Sequence, residues 1–135
     1  MPAEAALALP AIRVCVDAAR AAAYARETGL PAASGATPLA YPAVWLTTPP
    51  IYDAVQKICD ETDSVPVHEQ QRFVYEAPLR LGQDYDLHVA MRREEAPPRL
   101  NVEARITTAA GAPVARIETK LRLVPRASLG KGRVA

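Results

Sequence analysis

The sequence predicts one α+β domain in which an antiparallel β-sheet is covered on one face by an α-helix. Three segments in the C-terminal half alternate apolar and polar residues with a period of two, which is typical of strands with one buried face. A helical stripe of apolar residues begins after Pro49 and Pro50 and offers a cover for that face. The chain of 135 residues has the length of a single domain.

The three alternating segments are Asp84–Arg92, Arg99–Thr107 and Pro113–Val124. Proline in 94–98 and glycine in 109–112 predict tight turns between them. These connections are too short for crossover helices, so neighbouring strands are expected to run antiparallel. A fourth strand, Val67–Glu76, alternates less regularly, although Phe73 and Tyr75 share a face. A short strand is also expected at 12–16, where three aliphatic residues alternate with Arg13 and Cys15.

Two helices are expected. The first covers Asp17 to Thr28, with Asp17 as the N-cap and Gly29 in the left-handed position after the last turn. The second begins at Pro49 and Pro50, because proline is tolerated in a first turn where N–H groups have no helical partner. Its apolar stripe is formed by Ile51, Ala54, Val55, Ile58 and Cys59.

The remaining segments are irregular. Residues 30–43 are rich in Pro, Ala, Gly and Ser, which indicates either a long ordered loop with a function or a disordered insertion. Residues 1–9 and the basic tail 126–135 are predicted to be flexible. The globular domain is therefore expected to span residues 10–125.

Composition excludes several classes of protein. Half of the residues are hydrophobic, 23% are charged and the formal net charge is +1, so neither nucleic acid nor a membrane is an expected partner. Cys15 and Cys59 have no metal-ligand spacing, which predicts two reduced thiols and neither a disulfide nor a metal site. No cofactor is implied. The N-terminus lacks the features of a signal peptide and no apolar run reaches about 18 residues, so a cytoplasmic protein is expected.

The order of three sequence blocks points to a known family. They are YARETGLPAASGATPLAYPAVW from Tyr24, TTPPIYDAVQKICDET from Thr47 and VHEQQRFVYEAPLRLGQD from Val67. Over about residues 10–125 they resemble the MaoC-like (R)-specific enoyl-thioester hydratases and 3-hydroxyacyl dehydratases. The third block carries most of the resemblance, although Gln83 separates the glycine and aspartate that adjoin in the family. The matching positions are His68, Glu69, Gln70, Phe73, Tyr75, Pro78, Leu79 and Gly82.

The resemblance implies a hot-dog fold, in which the sheet wraps around the central helix. It also implies a dimer built side by side, either of two copies or with another hot-dog subunit. The ligand would be an acyl-CoA or acyl-carrier-protein thioester of fatty acid metabolism. In active members an Asp and a His in a G-D-x-N-P-x-H pattern activate water, and here Leu30 and Ala40 stand at those places. The resemblance therefore implies a non-catalytic subunit that binds or channels acyl thioesters beside an active partner.

The residues expected to bind the acyl thioester are those around the start of the second helix: Tyr41, Trp45, Thr48, Ile51 and Tyr52. The two rings Tyr41 and Trp45 either line an acyl channel or fill the core. Backbone N–H groups at Ile51 and Tyr52 are expected to be available for a thioester oxyanion, since the helix dipole favours negative charge there. A purely structural role, with a filled interior, is also open.

An alternative is an active hydratase, dehydratase or thioesterase that uses His68 or Asp53 as its base. Against it, His68 could be a strand residue at a sheet edge, and Asp53 could belong to the solvated face of its helix. His88 falls on the polar face of its strand and reads as a surface residue. The basic residues Arg105, Arg116, Lys120 and Arg122 could receive a phosphate, but they alternate with glutamates as a salt-bridged solvent face would.

Overall fold

A single antiparallel sheet forms the body of the protein. The structure, a computed structural model, describes residues 7–29 and 37–131. Its strands are β1 (Leu7–Ala8), β2 (Ile12–Cys15), β3 (Ser64–Tyr75), β4 (Asp84–Glu95), β5 (Pro98–Thr108) and β6 (Pro113–Pro125). Within the described residues the strand order is β1-β4-β5-β6-β3, and β2 also pairs with β4. This arrangement confirms the predicted fold class.

One face of this sheet is apolar and packs against a helix. The helices are α1 (Ala18–Thr28), α2 (Pro49–Glu61) and α3 (Arg126–Lys131). Ile51, Ile58 and Cys59 of α2 are buried in the same core cluster as the inner residues of the three long strands. Successive side chains of a strand point to opposite faces, so the alternation in the sequence determines which residues face α2. Those inner residues are Tyr85, Leu87, Val89, Met91, Leu100, Val102, Ala104, Ile106, Ala115, Ile117, Leu121 and Leu123.

Helix α1 begins and ends where the sequence predicted. The Asp17 carboxylate accepts a hydrogen bond of 3.0 Å from the backbone N–H of Arg20. Gly29 has a φ of +70° and donates its N–H to the carbonyl of Ala25 at 3.1 Å. Both ends therefore satisfy backbone groups that have no partner inside the helix.

Replacing Asp17 by alanine is expected to lower the free energy of unfolding by about 1 kcal/mol, because the N–H of Arg20 loses its acceptor. Urea unfolding followed by circular dichroism measures the change. Asp17→Ser is the matched control and is expected to retain most of the stability, since a serine oxygen can cap the same N–H. Equal losses in both variants would contradict the capping role.

The segment before α2 is more ordered than the sequence predicted. Residues 41–43, assigned to an irregular loop, begin a 3-10 helix at Tyr41–Thr47. Its rings continue a row of aromatic contacts: Tyr24 to Tyr41 at 5.8 Å, Tyr41 to Trp45 at 6.0 Å and Trp45 to Tyr85 at 6.3 Å. Burial of Tyr41 and Trp45 stabilises the 3-10 helix, although its sequence has little local preference for regular structure. Residues 30–36, including Leu30, lie outside the described residues.

The segments predicted to be flexible overlap with two short elements. Leu7–Ala8 pairs with Ala90 and Met91 as β1, and Arg126 begins α3. The Arg126 guanidinium contacts the carboxylates of Asp60 at 2.8 Å and Asp63 at 3.4 Å. The flexibility of 1–9 and 126–135, and the domain limits 10 and 125, remain predictions. None of the helices in the described part of the chain is long and apolar enough to cross a membrane.

Strand β3 contains a β-bulge that explains its irregular alternation. His68 is opposite Leu121 and Gln70 is opposite Lys120, so Glu69 is an extra residue on β3. Before the bulge the even-numbered residues face inward, and after it the odd-numbered residues do. Phe73 and Tyr75 therefore share a face, as predicted, while the first half of the strand follows the opposite numbering.

Several ion pairs lie on the outer face of the sheet, as expected for a salt-bridged solvent face. Arg116 contacts Glu118 at 2.8 Å, and Arg122 contacts Glu69 at 2.7 Å. Arg13 on β2 contacts Asp86 on β4 at 2.6 Å. A phosphate-binding role for this face remains a prediction.

Stability is expected to fall in acid because several of these carboxylates are held in their charged form. Hydrogen bonds from Arg99, Arg13 and Arg126 lower the pKa of Glu69, Asp86 and Asp60, respectively. The folded state therefore binds these protons less tightly than the unfolded chain. The contribution is complete above about pH 4 to 5, where unfolded carboxyls are ionised, and is lost as the pH falls through the folded pKa values.

Urea midpoints measured between pH 7 and pH 3 test this dependence. Glu69→Gln removes one of the three groups and is expected to give a shallower fall than the wild type. An unchanged slope in that variant would rule out Glu69 as a contributor.

Candidate functional site

A groove runs between α2 and the inner face of β3 and β6. Its volume is about 430 Å³. The 3-10 helix and α2 line it on the helix side, and strands β3, β5 and β6 line it on the sheet side. The lining residues are Ala43, Leu46, Thr47, Ile51, Tyr52, Val55, Gln56, Pro66, His68, Gln71, Val102, Thr119 and Leu121.

The groove is mainly apolar, and its polar side chains come from both walls: Thr47, Tyr52 and Gln56 on the helix side, and His68, Gln71 and Thr119 on the strand side. The Gln71 amide nitrogen donates a hydrogen bond of 3.2 Å to the Thr119 hydroxyl. Thr119 is only 4% exposed, so this bond satisfies a hydroxyl in the protein interior. His68 is the inner residue of β3 that precedes Gln71, and no Asp, Glu, Lys or Arg of residues 7–29 and 37–131 lines the groove. The arrangement fits an apolar chain with few hydrogen-bonding groups.

The two candidate bases are in different places. His68 lines the groove, whereas Asp53 is exposed on α2 and does not line it. His88 lies on β4, away from the groove, where its Nε2 is 3.0 Å from the Thr107 hydroxyl. Only one of the three can contact a molecule in the groove without a rearrangement.

Only some of the residues predicted to bind the acyl thioester line the groove. Ile51 and Tyr52 line the groove, and Tyr52 is 58% exposed. Tyr41 and Trp45 are buried in the core cluster, which favours the second of their two interpretations. Thr48 is the N-cap residue of α2, but its side chain makes no capping hydrogen bond and its hydroxyl is buried without a partner. Contact of these residues with a ligand remains a prediction.

The backbone at the start of α2 does not offer the expected oxyanion donors. The N–H groups of Ile51 and Tyr52 both donate to the Thr48 carbonyl, at 3.1 Å and 2.9 Å. Pro49 and Pro50 have no N–H, so these two are the first donors of the helix. The prediction that they are available to a thioester is wrong, because the helix itself uses them.

Two tyrosines hold the backbone at Ala40, where the resemblance places a catalytic histidine in active members. The Tyr75 hydroxyl donates to the Leu39 carbonyl, and the Tyr24 hydroxyl donates to the Ala40 carbonyl at 3.4 Å. Burial is the main cause that raises the pKa of Tyr75 to about 12, so this hydroxyl stays protonated and keeps donating at neutral pH. The position is thus fixed without a reactive side chain.

Comparison with known proteins identifies the architecture. No family model and no curated protein matches the sequence. A solved hot-dog-like protein from Thermanaerovibrio acidaminovorans is similar in structure, with a TM-score of 0.63 and 20% identity over 91% of this chain and 85% of that one.

This chain has the hot-dog fold.

Two further hot-dog structures have stated activities. The HadBC (3R-hydroxyacyl-ACP dehydratase) complex from Mycobacterium tuberculosis gives a TM-score of 0.58 and 18% identity, over 87% of this chain and 95% of that one. A 1,4-dihydroxy-2-naphthoyl-CoA thioesterase from Synechocystis gives a TM-score of 0.58 and 14% identity, over 86% and 82%. At these identities the similarity concerns the fold.

Several lining residues of the hot-dog groove were not singled out in the sequence. Val55 belongs to the predicted apolar stripe of α2, and the alternation within Pro113–Val124 puts Thr119 and Leu121 on one face of β6. That placement is the signal available for these three residues. Gln71 was hidden by the bulge, because period-two alternation does not carry across an inserted residue. Leu46 belongs to the 3-10 helix, which the local sequence does not predict.

Proposed function

We propose that this chain is an acyl-thioester-binding hot-dog subunit without an acid/base pair of its own. It would be a MaoC-like subunit of a cytoplasmic (R)-enoyl hydratase or 3-hydroxyacyl dehydratase. Its ligand would be an acyl-CoA or acyl-carrier-protein thioester, and its groove would hold the acyl chain. The catalytic Asp and His would come from a second hot-dog subunit.

One observation carries the proposal: the groove is mainly apolar, and none of the described residues that line it has a carboxylate. Hydration of an enoyl thioester needs a group that removes a proton from water and a group that supplies one to carbon. Among the described residues that line the groove, His68 is the one whose side chain can act as a general base. In active members of the family that this chain resembles, the catalytic Asp and His lie in the segment that corresponds to Thr28–Tyr52. In this chain that segment contains no Asp, Glu or His.

The open side of the groove supports the need for a partner. β3 pairs only with β6 within the described residues, so the backbone groups on its other side face outward. Three exposed residues of β3, Pro66, His68 and Gln71, line the groove together with exposed Tyr52 of α2. A second subunit that pairs with β3 would cover the edge and close the groove. That partner would be another copy of this chain or a different hot-dog subunit.

In the assembled enzyme the two subunits would share the work. The partner's pair would add water across the double bond of a trans-2-enoyl thioester, with oxygen bound to C3 and a proton delivered to C2, or would run the reverse dehydration. This chain would exclude water from the acyl chain and fix its position. Its own helix start would not stabilise an oxyanion, because the Thr48 carbonyl occupies both N–H groups.

The alternative is an enzyme active by itself, either a hydratase or a thioesterase. One observation favours it: the His68 imidazole lies in the groove. A single imidazole could serve as a general base for water. Asp53 lacks this support, since it does not line the groove.

Two assays with the purified chain separate these functions. Binding of trans-2-octenoyl-CoA is measured by calorimetry, and turnover is followed as loss of the enoyl-thioester absorbance and as release of free thiol. The expected result is saturable binding with turnover no faster than the protein-free blank. Turnover that disappears in His68→Ala would establish the alternative, and absence of binding would overturn the proposed function.

A further inference from the structure

The bulge at Glu69 determines which side chain of β3 enters the groove. With the extra residue accommodated at 69, Pro66 and His68 face inward and Glu69 faces the outer side of the sheet. If β3 continued as a regular strand from Gln71, residues 65, 67 and 69 would face inward and His68 would face outward. A shift of one residue exchanges the two faces of a strand.

Apolar contact alone favours the regular strand. It would turn Val65 and Val67 toward the groove in place of Pro66 and His68, whereas the bulged strand leaves Val67 45% exposed on the outer face. The bulge also leaves one residue of the observed strand without a partner on β6, which disrupts the backbone hydrogen bonds locally. Some other interaction must therefore favour the bulged arrangement.

The carboxylate of Glu69 provides that interaction. On the outer face one of its oxygens is 2.5 Å from the Arg99 Nε and the other is 2.7 Å from an Arg122 terminal nitrogen. In the groove it would meet no cationic side chain, since neither Lys nor Arg lines that space among the described residues. The regular strand would therefore break both charge-assisted contacts of the Glu69 carboxylate and replace neither of them.

We propose that Glu69 is a positioning residue: its ion pairs with Arg99 and Arg122 fix the bulge and thereby hold His68 in the groove. Glu69 itself contacts nothing in the groove, because the sheet separates the two. The effect passes through the backbone of β3, which has two alternative registers. Only what His68 then does with a ligand rests on the proposed function; its placement does not.

The test compares contacts of His68 in variants of the full chain, without ligand. In the wild type the His68 ring protons are expected to show nuclear Overhauser contacts to the methyl groups of Leu121, its inward partner on β6. Glu69→Val is expected to lose these contacts and to gain contacts from Val67 to Leu121. Unchanged contacts in Glu69→Val would overturn the proposal.

Two controls separate positioning from general damage. Deleting Glu69 removes the extra residue itself, so β3 becomes regular with His68 still inward, and the Leu121 contacts are expected to persist. Gln70→Val adds an apolar residue at the neighbouring outward position and is also expected to keep them. Loss of the contacts in both controls would show that any change near the bulge displaces His68, which would also overturn the role of Glu69.

Should Glu69→Val fail to fold, Glu69→Gln provides the test. It is expected to show a second set of His68 resonances without Leu121 contacts, and a single wild-type set would contradict the proposal. Acyl-CoA binding is measured separately. If binding is absent while the His68 contacts respond as expected, the proposed function fails and the positioning by Glu69 stands.

Discussion

Replacement of Trp45 by alanine is expected to lower the free energy of unfolding by about 3–5 kcal/mol, the range for a large buried aromatic residue. Trp45 is 5% exposed and lies between the rings of Tyr41 and Tyr85. Removing the indole leaves a cavity between Tyr41 of the 3-10 helix and Tyr85 of β4. The loss of packing and of apolar burial explains the size of the effect.

Denaturant unfolding followed by circular dichroism measures this loss, since the variant no longer contains tryptophan. Tyr52→Ala is the control, because Tyr52 is 58% exposed, and its stability is expected to change by no more than about 0.5 kcal/mol. The two variants also separate core from site: Tyr52→Ala is expected to weaken acyl-thioester binding while leaving the fold intact. A stable Trp45→Ala protein with weaker binding would instead identify Trp45 as part of the acyl channel.

Filling the groove from the helix side is expected to abolish acyl-thioester binding. Val55 lines the groove in the middle of α2 and is only partly buried, so a tryptophan there has room to enter the cavity. The larger side chain would fill the space in which the acyl group is proposed to bind. Val55→Trp is expected to weaken binding of trans-2-octenoyl-CoA by a factor of ten or more, equivalent to at least about 1.4 kcal/mol.

Calorimetry with the purified variant checks this prediction, together with a thermal melt to show that the fold is kept. Lys57→Trp is the matched control, because Lys57 is exposed on the same helix and does not line the groove. Its affinity is expected to equal that of the wild type. Equal affinity in Val55→Trp would place the acyl group somewhere other than this groove.

Much of the fold could be predicted from the sequence because β4, β5 and β6 alternate without interruption. Once Leu100 and Ile117 are assigned to one face, every second residue along those strands follows, and the structure confirms this assignment. The ends of α1 were also predictable, since Asp17 and Gly29 act through local backbone chemistry. These features depend on neighbours in sequence.

The candidate site was less predictable because it depends on contacts that are distant in sequence. The bulge at Glu69 is stabilised by Arg99 and Arg122, which are 30 or more positions away, and it reverses the numbering of inner residues. His68 was a candidate by residue type, but its place in the groove follows from that reversal. The use of the Thr48 carbonyl by both N–H groups at the start of α2 likewise required coordinates.

The single-sided pairing of β3 has a consequence for the production of this protein. A strand of 12 residues with one side of its backbone unpaired within the described residues is a template for other extended chains, including misfolded copies of itself. Arg72 and Glu69 on β3 place charges beside this edge, but they point away from the backbone groups that remain to be bonded. Under the proposed function, the soluble yield in a cell is therefore expected to depend on the supply of the subunit that covers β3, and any chain in excess of it would aggregate or be degraded.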